Sequence, residues 1–315
     1  MKKLLPLLAL ALLLGITAAS GEVMLVNAIT DAHGLLDMAQ DPSANYVLDA
    51  DIDLTGVSWQ PFAFSGTLDG QGHTIRGLTV RDFAPDTART VDGNGYKYAT
   101  RMMAFFSVAD HAEIRNIRFE DASVRGESDD HAFVAIVAAV STHSTFEQVY
   151  VSGSACLYSS AKMVGVGGIV GYGTGAIRDS EADVTLVFAD TNKKKKCEQY
   201  MGGAVANGFM DVENVTVHID GYASVYGYVH CGGIIGMHRQ HETRTKDNAI
   251  THVTGCTATG MITFFEKNNE RRAYCKGIIG ELLNKYIKRD NNDDSGFVRN
   301  EVKKYDTILL PEGWE

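Results

Sequence analysis

Val164-Gly-Val-Gly-Gly-Ile-Val-Gly171 runs directly into Tyr172-Gly-Thr-Gly-Ala-Ile-Arg-Asp-Ser-Glu-Ala-Asp-Val-Thr185. The stretch reads as a small-residue strand, a glycine turn and a short alternating strand. Its central pentapeptide, Gly167-Gly-Ile-Val-Gly171, would suit a phosphate-cradling loop if it stood alone. It does not stand alone. Related segments are Met103-Ala-Phe-Phe-Ser-Val108, Val134-Ala-Ile-Val-Ala138, Gly202-Gly-Ala-Val-Ala206, Gly232-Gly-Ile-Ile-Gly236 and Lys276-Gly-Ile-Ile-Gly280. Their aligned starts recur about every 30 to 44 residues, a spacing that belongs to repeat architectures.

A second segment repeats independently. Ile114-Arg-Asn-Ile-Arg-Phe119, Phe146-Glu-Gln-Val-Tyr-Val151, Ile177-Arg-Asp-Ser-Glu-Ala182, Val212-Glu-Asn-Val-Thr-Val217 and Val253-Thr-Gly-Cys-Thr-Ala258 align with one another. The first, fourth and sixth positions are apolar or small. The third is Asn, Gln, Asp, Asn and Gly in turn. An apolar-polar-polar start followed by alternation turns a corner and then runs as a strand. Asn-type residues at a repeated corner can stack into a hydrogen-bonded ladder. A β-sandwich would also produce many short strands, but it gives no reason for two segments to recur together. The repeats therefore predict an all-β parallel solenoid, in which each coil buries a face that no single coil could bury alone. Insertions fall into outward loops, clearest at 190–196, 238–248 and 266–272.

The flanks read as caps. Residues 30–40 predict a short helix, with Thr30 as its cap and Leu35, Met38 and Ala39 on one face. Tyr46-Val-Leu-Asp-Ala-Asp-Ile-Asp-Leu54 predicts one strand, with Tyr46, Leu48, Ala50, Ile52 and Leu54 facing inward. At the other end Ile278, Ile279, Leu282, Leu283, Tyr286 and Ile287 lie on a helical stripe, and the tail from Phe297 packs on the last coil. The expected organisation is a signal peptide over 1–20, an N-terminal cap over 21–45, β-helix repeats over 46–280 and a mixed C-terminal cap over 281–315.

The signal peptide rests on Lys2-Lys3, an apolar run from Leu4 to Leu14, and a small-residue site ending at Ala19 or Ser20. That run is shorter than the roughly 20 residues a spanning helix needs, and no other stretch is long enough. The expected location is secreted or cell-surface-associated, with the periplasm left open. A net charge of −10 argues against general binding of nucleic acid or anionic membranes. The chain holds 32 glycines against 5 prolines, which suits tightly turning strands.

The run from Asp51-Ile-Asp-Leu54 through Trp59 and Phe64-Ser-Gly-Thr-Leu-Asp-Gly-Gln-Gly-His-Thr-Ile75 to Leu78-Thr-Val80 resembles the opening of secreted bacterial right-handed β-helix proteins of the GLUG-repeat type. The resemblance covers roughly 45–280. It implies a right-handed β-helix and a place among cell-surface and adhesin-like proteins; related repeats also accompany some secreted metallopeptidases. In the Asp69-Gly-Gln-Gly-His73 core, glycines permit positive φ at a tight corner, while Asp69 and His73 can bond the turn backbone.

Several residue sets are candidates for a site. Lys193, Lys194, Lys195 and Lys196 form a basic knob that could grip an anionic glycan, or a solvated loop tip. Tyr222, Tyr226 and Tyr228, with Trp59, Phe264 and Phe265, could stack on sugar rings or simply pack. Asp49, Asp51 and Asp53 share a strand face; they offer hard oxygen ligands to Ca²⁺, but their spacing suits a solvated outer face better. No other cofactor is called for. His230, His238, His241 and Glu242 cluster without forming His-Glu-x-x-His, which occurs nowhere in the chain. Cys231 and Cys275 precede aligned glycines by two residues, so neighbouring coils would stack them as a disulfide or as buried thiols. No catalytic residue emerges. The first expectation is a non-enzymatic module binding a glycan or cell-surface partner. The second is a polysaccharide lyase or glycoside hydrolase, marked by acidic and basic side chains converging in a groove. The third is a structural spacer.

Overall fold

A computed structural model describes residues 26–91, 97–190, 198–225, 227–239, 250–266, 272–283 and 287–303. The signal peptide over 1–20 lies outside the described residues. Most of those described are in strands, and the regular structure is otherwise one short α-helix, Ala32–Asp37, and a 3₁₀ turn, Met38–Gln40. None of their helices is long and apolar enough to cross a membrane.

Each repeat pairs in parallel with the next, in register. Ile114 lies opposite Phe146, Phe146 opposite Ile177, and Ile177 opposite Val212, which in turn lies opposite Val253. A second set of short strands builds its own parallel column through Ala132–Val134, Met163–Gly167, Glu198–Gly202, Tyr228–Gly232 and Arg272–Lys276. Successive repeats are therefore rungs about 4.8 Å apart. The predicted inward positions are core. Ile114, Ile117, Phe119, Phe146, Val149, Val151, Val212, Val215, Val217, Val253, Cys256 and Ala258 are all fully or almost fully buried. At about 1.5–3 kcal/mol for each large apolar side chain, this column dominates the stability of the stack.

The third position of that motif turns the chain. Asn116, Gln148, Asp179, Asn214 and Gly255 all have positive φ, between 48° and 66°. Left-handed backbone is costly for most L-residues and tolerated best by Gly, Asn and Asp. The residue types that recur there are largely the ones this corner accepts. One link of the expected side-chain ladder is present: Asn214 Nδ2 donates to Asp179 Oδ1 at 3.0 Å, whereas Asn116 Nδ2 donates at 3.1 Å to Asp69 Oδ1, one position before the corner of the preceding rung.

The glycine stretch proves to be two strand ends joined by a corner, and not one continuous strand. Met163–Gly167 and Val170–Arg178 are separate strands that meet at a bend over 168–169. A side chain on Gly167 would run into the carbonyl of Val170, and one on Gly168 into the carbonyl of Gly203 on the next rung. Close backbone approach, not left-handed geometry, demands glycine here.

Both ends differ from the sequence expectation. The helix is capped by Asp31, whose Oδ1 accepts the Gly34 N–H at 2.9 Å, and not by Thr30. Leu35 and Met38 are buried as expected, but Ala39 is exposed. The strand expected over 46–54 is broken into Asn45–Leu48 and Ile52–Asp53; Tyr46, Leu48, Ile52 and Leu54 do face the core, while Ala50 lies in the break and is only half-buried. The helical stripe at 278–287 forms no helix among the described residues. Ile279–Leu282 and Ile287–Lys288 are strands pairing with Ile235–His238 and Thr251–Thr254. The open edge of the preceding rung offers backbone partners that a lone amphipathic helix would leave unpaired, and this overrides the periodicity. The stack also continues past 280: Asp293–Lys303 pairs with Thr257–Glu266 and is itself a rung.

Candidate functional site

The left-handed corner shapes the outer surface beside it. Immediately before the corner, one column of outward residues alternates in charge, Asp69, Arg115, Glu147, Arg178 and Glu213, each opposite the next. Arg115 Nε bonds Asp69 Oδ2 at 2.9 Å, and Arg178 Nε stands 3.8 Å from Glu213 Oε1. Opposite charges at one-rung spacing stabilise the register, and a like-charge column would oppose it. Two residues after each corner residue the chain points outward again, placing Arg118, Tyr150 and Glu181 in one row.

Between the corner and this row lies an open groove of about 800 Å³. Its polar lining comes from four successive rungs: Asp69 and Gln71, then Asn116 and Arg118, then Gln148 and Tyr150, then Asp179 and Glu181. The Arg118 guanidinium lies over the Tyr150 ring, 4.0 Å from its centroid. This cation–π contact holds both side chains against the surface. Arg118 Nε also donates to Glu120 Oε1 at 3.2 Å.

Asp69 anchors one end. Partial burial pushes its carboxyl pKa upward. The Gln71 N–H at 2.9 Å, the Asn116 amide and the Arg115 guanidinium outweigh that and hold it below the usual carboxylate range. With both oxygens occupied, Asp69 is a turn-forming residue, as its sequence context predicts. In the same loop, Gly72 has φ 85°. His73 does not bond the backbone through its ring; its Nδ1 lies 3.1 Å from Asp51 Oδ1, which also accepts the Thr74 N–H at 2.9 Å. The Thr74 bond and then His73 lower the Asp51 pKa. Asp53 Oδ1 accepts the Thr55 N–H. Asp51 and Asp53 thus serve local turns, and among the described residues no three His, Cys, Asp or Glu side chains gather as a metal site.

The other sequence candidates are dispersed. Lys193 to Lys196, Tyr226, His241 and Glu242 lie outside the described residues. Tyr222 and Tyr228 are half-buried on separate strands, Thr216–Val225 and Tyr228–Gly232, and neither borders the groove. Tyr222 donates its hydroxyl to Asp220 Oδ2 at 3.0 Å. Trp59 is core: its ring stacks on Phe105 at 4.2 Å and its Nε1 donates to the Phe105 carbonyl. Phe264 and Phe265 are buried too.

His230 is buried between Tyr200 and Tyr274, with centroids 5.3 and 5.2 Å away. Its Nδ1 is 2.7 Å from Glu281 Oε2 on the following rung. His238 is fully buried on Ile235–His238. Cys231 and Cys275 are register partners, as the repeat alignment expects, and both are free thiols in this structure. Burial raises the Cys275 pKa to about 12 and pushes Cys231 well above its ordinary value. Neither supplies a thiolate at neutral pH.

Arg118, Gln148, Tyr150, Asp179 and Glu181 were not among the sequence candidates. The signal was present in the aligned second segments, at the third and fifth positions. It could be read only by asking which residues share an outward row.

No protein-family model and no curated protein matches this chain. Among solved structures, the chain resembles a "putative immunoglobulin A1 protease" from Bacteroides ovatus. The TM-score is 0.53 at 15% identity, covering 90% of this chain and 79% of that one. It is also similar to a structure named IgA1 Protease, with TM-score 0.46 at 15% identity. That match covers 87% of this chain but 21% of the other. At such identity the first likeness concerns the fold alone.

Proposed function

We propose that the chain is a secreted right-handed parallel β-helix and acts as a non-enzymatic binding module for a glycan, free or on a cell surface. The rung-by-rung parallel register supports the solenoid, and the first structural likeness agrees with it. One observation carries the binding reading: a groove of about 800 Å³ whose polar lining is contributed in register by four rungs. Its guanidinium, amides, phenol and carboxylates mix donors and acceptors, as polyhydroxylated ligands require.

A second reading is favoured by the same groove. Arg118, Asp179 and Glu181 reach it from different rungs, and a lyase or hydrolase needs basic and acidic groups brought together in this way. Against it, the Asp69 carboxyl is held low and fully bonded, the opposite of what a general acid requires.

A glycan array probed with the full-length protein, paired with a reducing-end release assay on every retained glycan, separates the two. Retention without release supports the binding module. Release that is lost in Glu181→Gln establishes the enzyme instead. A blank array contradicts both.

A further inference from the structure

We propose that the groove takes a linear, uncharged polysaccharide laid parallel to the stacking direction, and that it disfavours polyanionic chains. This rests on the glycan reading above and adds the ligand's direction, extent and charge. The direction follows from register. Arg118, Tyr150 and Glu181 are successive partners in one row, and Asn116, Gln148 and Asp179 occupy equivalent corner positions on the same three rungs. The groove thus presents one polar corner group and one outward group per rung. With Asp69 and Gln71 on a fourth rung it extends about 14 Å, three rises of about 4.8 Å. A chain crossing the rungs meets a new pair of groups at each step. A compact ligand would use only one or two pairs.

The charge follows from which groups are already satisfied. Asp69 is neutralised by Arg115 and bonded by Asn116. Arg118 is paired with Glu120, which it shares with Arg76 outside the groove. Asp179 is bonded by the Asn214 amide, which carries no charge. Glu181 is exposed, with no partner among the described residues. The uncompensated charge facing the groove is negative, at its Asp179–Glu181 end. A polyuronate there would set carboxylate against carboxylate. A neutral chain offers hydroxyls to Gln148, Tyr150 and Glu181.

The test is calorimetric titration of the full-length protein with neutral cello- and manno-oligosaccharides, from disaccharide to hexasaccharide, and with oligogalacturonates of matching length. Neutral chains should tighten by about tenfold or more from disaccharide to hexasaccharide, the gain from added subsites at 1.4 kcal/mol per factor of ten. Oligogalacturonates should bind more weakly at every length. Gln148→Gly removes one amide but keeps a residue suited to left-handed backbone; it should weaken the neutral hexasaccharide by about two- to tenfold, one hydrogen bond. The double variant Asp179→Asn, Glu181→Lys should raise affinity for oligogalacturonate, with an unchanged melting curve serving as the folding control. The proposal is overturned if the disaccharide binds as tightly as the hexasaccharide. It is also overturned if oligogalacturonate matches the neutral chain in the unmodified protein. If no chain of either kind binds, the glycan reading itself falls.

Discussion

Gln148 isolates the energetics of the left-handed corner. Its φ is 53°, and its side chain is exposed with no partner among the described residues. Changes in stability at this position must therefore come from the backbone. Gln148→Gly trades two opposing effects. Glycine relieves left-handed strain of about 1–2 kcal/mol and adds unfolded-state entropy of about 0.5–1 kcal/mol. The net change should lie between zero and about 1.5 kcal/mol of stabilisation. Gln148→Val introduces a β-branched residue, which left-handed backbone tolerates least, and should lose about 1–2 kcal/mol. For a chain of 315 residues that lowers Tm by roughly 1.5–3 °C. Differential scanning calorimetry of the three proteins reads the difference directly. A Val variant melting with the unmodified protein, or a Gly variant falling as far as Val, would refute the account of the corner.

Gly168→Ala should cost about 3 kcal/mol or fail to accumulate as folded protein, because the new methyl would overlap the Gly203 carbonyl oxygen on the next rung and one backbone or the other must shift; urea unfolding reads the loss. Asp69 contributes stability that is present above its unfolded pKa and lost as pH falls through its lower folded value. Stability should therefore drop in the acid range below about pH 4, and Asp69→Asn, less stable at neutral pH, should show a shallower fall. Cys156 and Cys256 are buried free thiols with pKa values raised by burial to about 12 and about 11. With Cys231 and Cys275 they should resist alkylation at neutral pH until denaturant is added. Peptide mapping without reductant checks the 231–275 pair at the same time, and a recovered disulfide would contradict the free thiols seen here.

The inward side of this protein was legible residue by residue. Ile114, Val149 and Val217 are buried because a short-period repeat leaves one arrangement in which all such positions meet. The third-position Asn, Gln, Asp and Gly were visible as a pattern, and left-handed φ explains it. Local periodicity misled where a partner edge was stronger than local preference. Residues 278–287 carry a helical stripe, yet their described part pairs with the rung before it. Gly167-Gly-Ile-Val-Gly171 reads as a strand, but backbone approach within and between rungs makes it a corner. The groove was out of reach for a related reason. Asp69, Arg118, Tyr150 and Glu181 are each ordinary polar residues in sequence, separated by whole repeats. Only the register of the stack brings them to one groove, and only the side-chain pairing decides that Asp69 is spent while Glu181 stays open. The chain itself thus determines the repeat, its core and its corners, because burial and backbone geometry act on nearby residues. The tertiary structure alone decides the surface site, because its members become neighbours only after the rungs have stacked.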